Sequence, residues 1–225
     1  MFRFTVVLCA AALIAAPALA ATPRETLAQA AFAVRDKPTA LARIGQAEAA
    51  VNGVLARTPR DREANLLAAM AIGYRAKLNK SRSEAVEAGR RFAALAAADP
   101  RDAEAQAALG AWHLDAVTAL GGMMAGVALG AKKATGLAAM DRAVALGGNR
   151  AMFAGLSALM RLALDPADAK APALAEAASR GATPTPLDQI MQRAAAAVLV
   201  PLRARDTKQA AALARQLLPF GRIVG

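Results

Sequence analysis

The chain has 225 residues, of which 56 % are hydrophobic, and 28 Lys and Arg against 17 Asp and Glu give it a net charge of +11. One Cys and one His exclude an internal disulfide and a Cys- or His-rich metal site. Aromatic residues make up only 4 % and no basic cluster alternates with them, so nucleic acid is disfavoured as a partner. The positive charge favours anionic binding partners, such as lipid headgroups, cell-envelope polymers or acidic proteins.

The first 20 residues predict a cleaved secretory signal. Arg3 precedes an apolar run from Val6 to Ala16, which Pro17 and small residues ending at Ala20 follow. The run is too short to cross a hydrocarbon core of about 30 Å as a helix. We therefore expect cleavage after Ala20 and a periplasmic or secreted chain, 21–225, that forms a single domain.

Alanine and leucine dominate the remaining chain, and its prolines lie mainly between segments with helical periodicity, which predicts an all-α fold. Asp61, Asp102 and Thr185 precede helical segments as N-capping residues. The predicted helices cover 24–35, 39–57, 61–78, 82–98, 102–120, 132–146, 150–164, 169–180, 187–204 and 207–218.

An internal repeat marks the boundaries between some of these helices. The hexapeptide 59–64 (PRDREA) returns in nearly the same form, 41 positions later, as 100–105 (PRDAEA). Each copy ends one Ala-rich stretch and opens another. A reused unit of this length predicts stacked helical hairpins, an α-α superhelix in which each hairpin buries its apolar face against its neighbours.

The residues around the second copy resemble a known family. Ala88, Phe92, Leu95 and Pro100, followed by Leu109-Gly110, are similar in order and spacing to the second helix, closing proline and next first helix of tetratricopeptide repeats. The resemblance covers about 41–165 and implies a solenoid that binds a partner in its groove. Two other segments match the second-helix pattern: Ala47, Val51, Val54 and Pro59, and Gly136, Met140, Ala143 and Gly148.

The spacing is wider than the period of that family, which is about 34 residues. Pro100 follows Pro59 by 41 positions, and Gly148 follows Pro100 by 48 positions. Because the excess is close to whole helical turns, we expect lengthened hairpins with the same face directed inward. Gln106 and His113 replace the usual tryptophan and tyrosine, so the array is degenerate. The segment 166–225 matches no repeat and is expected to form a C-terminal helical cap.

Residues 116–131 form the longest uncharged segment after the signal, with Gly122, Gly126 and Gly130 at intervals of four. One interpretation is a buried helix whose glycine face allows close backbone contact with another helix. The others are the wall of an apolar ligand cavity and a contact with a membrane surface. Alternatively, the helix breaks into a turn at Gly121-Gly122.

Trp112 and His113 are the only tryptophan and histidine. Either Trp112 fills a gap between helices while His113 bonds a neighbouring helix, or both form a recognition site on the inner face of the stack. The candidate partner- or ligand-binding residues are Tyr74, Trp112, His113, Gly122, Gly126 and Gly130.

We expect no enzymatic activity and no cofactor, because the carboxylates are scattered and no nucleophile motif stands in a suitable context. The first functional hypothesis is a periplasmic, non-catalytic scaffold that binds a protein or peptide. The alternative is a carrier of an apolar or anionic small ligand, resembling helical-repeat components that accompany some solute transporters. A third is adhesion of the basic segment 203–225 to an anionic lipid or polymer surface.

Overall fold

The computed structural model describes residues 21–223, which form eleven α-helices and no β-strand. The predicted signal, 1–20, lies outside the described residues. All ten predicted helices are confirmed, with small shifts at their ends. The helices are α1 (Pro23–Phe32), α2 (Lys37–Arg57), α3 (Arg62–Asn79), α4 (Arg82–Ala98), α5 (Ala103–Leu120), α6 (Gly122–Leu129), α7 (Lys133–Leu146), α8 (Ala151–Leu164), α9 (Ala171–Ser179), α10 (Pro186–Arg203) and α11 (Thr207–Leu217).

The repeated hexapeptide marks helix starts because its aspartate is an N-cap. The Asp61 carboxylate accepts a hydrogen bond from the Ala64 backbone N–H at 2.7 Å. The Asp102 carboxylate accepts hydrogen bonds from the backbone N–H groups of Glu104 and Ala105 at 2.9 and 3.1 Å. Each carboxylate satisfies N–H groups that have no partner within the helix. The predicted capping positions are confirmed.

Ten of the eleven described helices form five contacting pairs: α1 with α2, α3 with α4, α5 with α7, α8 with α9, and α10 with α11; α6 packs on α5 and α4. We call the first member of each pair an inner helix. Consecutive inner helices contact one another, and α10 also contacts α1, which brings the two ends of the described chain together. The Phe220 backbone N–H donates to the Ala31 carbonyl at 2.8 Å, and the Phe220 ring packs against Tyr74 with centroids 5.0 Å apart. The array therefore closes on itself as a ring.

The α5–α7 crossing is a very close contact between paired helices in the middle of the chain. A Cβ atom on Gly110 would lie 2.9 Å from the Met140 backbone nitrogen, and one on Gly136 would lie 2.8 Å from the Leu114 side chain. Only glycine permits this approach. Gly110 and Gly136 therefore allow these two paired helices to lie close together.

The expectation of lengthened helices holds for the first unit and for one helix of the second. Helices α3, α4 and α5 have 18, 17 and 18 residues, whereas α7 has 14. The additional length of the second unit is the separate helix α6, because the chain breaks at Gly121, whose φ is +76°. The alternative of a turn at Gly121-Gly122 is the one observed.

The segment predicted as a C-terminal cap contains α9, α10 and α11. α9 packs on α8, and α10 contacts α8, α9, α11 and α1, so this segment also completes the ring. Across residues 21–223, no helix combines the length and hydropathy needed to cross a membrane.

Candidate functional site

The inner helices surround a cavity of about 140 Å³ at the centre of the ring. All five contribute to its wall, α4 adds Phe92, and Pro219 from the C-terminal segment completes it. The wall is mostly apolar, which favours an apolar ligand. Its largest apolar side chains are four methionines and three aromatic residues: Met70, Met152, Met160, Met191, Phe32, Phe92 and Trp112.

The methionines give this cavity an adaptable wall. Each lies on an inner helix, Met70 on α3, Met152 and Met160 on α8, and Met191 on α10. An unbranched thioether side chain can change rotamer at low cost and adjust to ligands of different outline. Sequence reasoning missed these residues because they are far apart along the chain, and only closure of the ring places them around one space.

Two ion pairs supply charged groups at the cavity wall. Arg24 of α1 donates to Glu104 of α5 at 2.9 Å, and Lys77 of α3 donates to Asp115 of α5 at 2.5 Å. Because each charge has an opposite partner, neither pair presents a net charge to the cavity. These groups can orient the polar end of a ligand, while the remaining wall contacts hydrocarbon.

Tyr74, a predicted candidate, lies at this wall, and its ring packs against that of Phe220. Burial raises the pKa of Tyr74, and the Asp115 charge raises it further. The phenol is therefore neutral throughout the physiological pH range and is available as a hydrogen-bond donor. Its position suits contact with an acceptor atom at the polar end of a ligand.

Trp112 fills a gap and also faces the cavity. Its indole N–H donates to the Ala85 carbonyl at 2.9 Å, and its ring occupies the space above Gly89, where a Cβ atom would lie 2.4 Å from the ring. The predicted gap-filling role between α4 and α5 is confirmed. Since Trp112 also contributes to the cavity wall, its fixed ring forms a rigid part of the site.

The His113 side chain contacts the start of α7 instead of the cavity. It is 8 % exposed, and its Nδ1 accepts from the Lys132 backbone N–H at 3.1 Å. Burial lowers the pKa of His113, and the Lys132 charge adds to this effect. The neutral imidazole therefore anchors the start of α7 to α5, which confirms the predicted bond to a neighbouring helix. His113 is not part of the cavity wall.

The three candidate glycines lie outside the cavity. A Cβ atom on Gly122 would meet nothing within 4 Å, one on Gly126 would meet only the Ala131 carbonyl at 3.8 Å, and Gly130 ends α6 with φ of +72°. The interpretation of residues 116–131 as a helix buried through its glycine face is therefore wrong. The cavity-wall interpretation also fails for this segment, because none of its residues lies at the wall.

A chain of ion pairs beside the cavity joins four inner helices, and sequence reasoning did not identify it. Arg150, before α8, pairs with Asp188 of α10 at 3.0 Å and Glu104 of α5 at 3.4 Å, and Glu104 pairs with Arg24. Asp188 is fully buried and also accepts from the Thr185 hydroxyl at 2.6 Å.

Burial alone would raise the pKa of Asp188, but hydrogen bonds from Arg150, Thr185 and Met152 outweigh it and hold that pKa below its ordinary value. The carboxylate is therefore charged at neutral pH and keeps the inner helices in register around the cavity.

Within the part of the chain that the structure describes, no three His, Cys, Asp or Glu side chains lie together as a metal site. Comparison of the chain with known protein families, with curated proteins and with solved structures found no match.

Proposed function

We propose that this protein binds a small, mainly apolar ligand in its central cavity and acts as a non-catalytic carrier in the cell envelope. The observation that carries the proposal is the convergence of all five inner helices on one apolar space, closed by the contact of α10 with α1. A wall of methionine and aromatic side chains favours burial of the ligand's hydrocarbon surface.

The proposed architecture is a degenerate tetratricopeptide-like array bent into a ring. The positions that resemble the family support it: Ala88 and Phe92 of α4, like Met140 and Ala143 of α7, are buried in the second helices of their pairs. The inner helices then correspond to the first helices of the family.

The size of the cavity limits the ligand. An engineered apolar cavity of about 150 Å³ in another protein holds one benzene ring. A space of about 140 Å³ therefore suits one aromatic ring or a short hydrocarbon chain. Rotation of Met152, Met160 and Met191 would accommodate a longer chain, with its polar end near Tyr74 and Lys77.

Binding of a protein or peptide, the first hypothesis, requires a groove along the inner helices. Contact between α1 and α10, together with the position of Phe220, favours a cavity of small-molecule size in its place. A macromolecular partner would therefore use the outer face of the ring.

Trp112 provides a direct test, because it is the only tryptophan and lies at the cavity wall. The protein is titrated with toluene and with octanoate while tryptophan fluorescence is recorded. We expect saturable changes with at least one probe. The variant Ala111→Phe, which fills the cavity, should lose the response, whereas Ala119→Phe, on the exposed end of the same helix, should keep it.

Circular dichroism establishes that both variants are folded, and Ala108→Leu provides a smaller filling substitution if Ala111→Phe is not. An unsaturable response in the original protein, or equal responses in the Ala111→Phe and Ala119→Phe proteins, would refute ligand binding in this cavity.

A further inference from the structure

The short helix α6 exposes an apolar surface to solvent. Met123 is 82 % exposed, Val127 77 % and Met124 56 %, and Leu120, at the end of α5, is 46 % exposed. We call these four residues the α6 patch. α6 contains no charged residue. Clustered large apolar side chains on a protein surface commonly mark an interaction site.

The opposite face of α6 holds the helix in place. Ala125 is fully buried, and it clusters with Ala116 and Val117 of α5, against which Leu129 also packs. The Arg82 side chain of α4 donates to the Ala128 carbonyl at 2.9 Å. The patch is therefore presented outward by a helix that is attached on its other side.

Basic residues flank the patch. Arg82 contacts α6 directly, and the exposed Lys132 and Lys133 follow it in the chain. No acidic residue occurs between Asp115 and Asp141, and Asp115 is paired with Lys77. Exposed apolar side chains flanked by basic ones match a lipid interface, where hydrocarbon lies beneath anionic headgroups.

We propose that the α6 patch inserts into the interfacial layer of an anionic phospholipid bilayer. Met123, Met124 and Val127 enter the boundary between headgroups and acyl chains, and Arg82, Lys132 and Lys133 contact lipid phosphates. The charge complementarity selects this occupant over a second copy of the chain, whose equivalent patch is flanked by the same basic residues. The contact does not depend on occupancy of the central cavity.

Vesicle co-sedimentation tests the proposal. The mature chain, 21–225, is mixed with vesicles of phosphatidylcholine alone or of phosphatidylcholine and phosphatidylglycerol together, at low and high salt. We expect binding to the anionic vesicles, with weaker binding at high salt. Val127→Gln should weaken it about tenfold, because a polar side chain replaces an apolar one at the lipid boundary. The matched control is Val200→Gln, since Val200 is 69 % exposed on α10 and the basic Arg203 and Arg205 follow it closely in the chain.

The double variant Lys132→Gln, Lys133→Gln should reduce binding to anionic vesicles and its dependence on salt. The Met123→Gln variant provides a second apolar test if Val127→Gln is poorly folded. Equal losses in the Val127→Gln and Val200→Gln proteins would assign binding to another surface and overturn the proposal. The proposal would also be overturned if the original protein did not bind vesicles. The same holds if the original protein bound no vesicles but self-associated, and Val127→Gln abolished that self-association.

Discussion

The α5–α7 crossing and helix α6 are neighbours in the chain, but they use glycine and valine in opposite ways. Gly110 and Gly136 bring two helices together so closely that no side chain fits between them. Gly122 and Gly126 face open space or their own turn. Val117 is buried, whereas Val127, ten positions later, is 77 % exposed.

This contrast shows that glycine spacing within one segment does not identify a helix contact. The glycines at intervals of four in α6 have no partner helix in the described part of the chain. The glycines that form the contact, Gly110 and Gly136, are far apart in the sequence and lie one on each helix of the pair. A contact surface needs two complementary faces, and a local pattern describes only one of them.

The largest expected difference comes from introducing aspartate into each region. Val117→Asp should lower the free energy of unfolding by about 3–5 kcal/mol, because it leaves a charge buried without a partner. Val127→Asp should change it by no more than about 0.5 kcal/mol, since the carboxylate stays in water. Urea denaturation measures both values. Similar losses of stability in the two variants would show that α6 contacts other parts of the protein in addition to α4 and α5.

Two alanine substitutions are expected to change the free energy of unfolding by smaller amounts and in opposite directions. Gly110→Ala should destabilise the protein by about 1–3 kcal/mol, because the new methyl group meets the α7 backbone, which cannot move aside easily. Gly126→Ala should stabilise it by up to about 1 kcal/mol through its higher helix propensity. Thermal unfolding by circular dichroism compares them. A stabilising Gly110→Ala would contradict the close crossing.

The smallest expected effect is a dependence of protein stability on pH, caused by His113 near the α5–α7 crossing. Since burial and Lys132 hold the pKa of His113 below its value in the unfolded chain, the unfolded state takes up the proton first. Stability is therefore full above pH about 6.5 and declines as the pH falls through that value toward the lower pKa of the folded state.

His113→Asn supplies an acceptor for the Lys132 N–H that does not titrate. We expect its stability to change less between pH 7.5 and 5.5 than that of the original protein, as measured by urea denaturation at both values. Equal changes in the two proteins would exclude His113 as the titrating group.

Local signals predicted the helices well, because capping residues and proline act within one turn. Asp61, Asp102 and Thr185 each start a helix where the sequence places it. α6 was missed as a separate helix because its residues continue the apolar run of α5. Only the positive φ of Gly121 separates the two.

Two of the six candidate binding residues lie at the cavity wall. Trp112 and Tyr74 lie at the cavity wall, whereas His113 and the three glycines do not. The remaining wall could not be identified from local patterns, because Met70, Met152 and Met191 are ordinary apolar positions on three separate helices. Nothing within any one of these helices distinguishes a side chain at a cavity from one in a filled core.

The sequence by itself determined the all-α class and the approximate ends of ten helices in residues 21–223, because these depend on contacts between residues close in the chain. Tertiary structure alone decided that the array closes into a ring, that α6 projects outward, and that five inner helices enclose one cavity. These features depend on contacts between distant segments, such as Phe220 with Ala31 and Arg24 with Glu104. Their formation depends on the accumulated angles of all the intervening helix crossings, which no local pattern specifies.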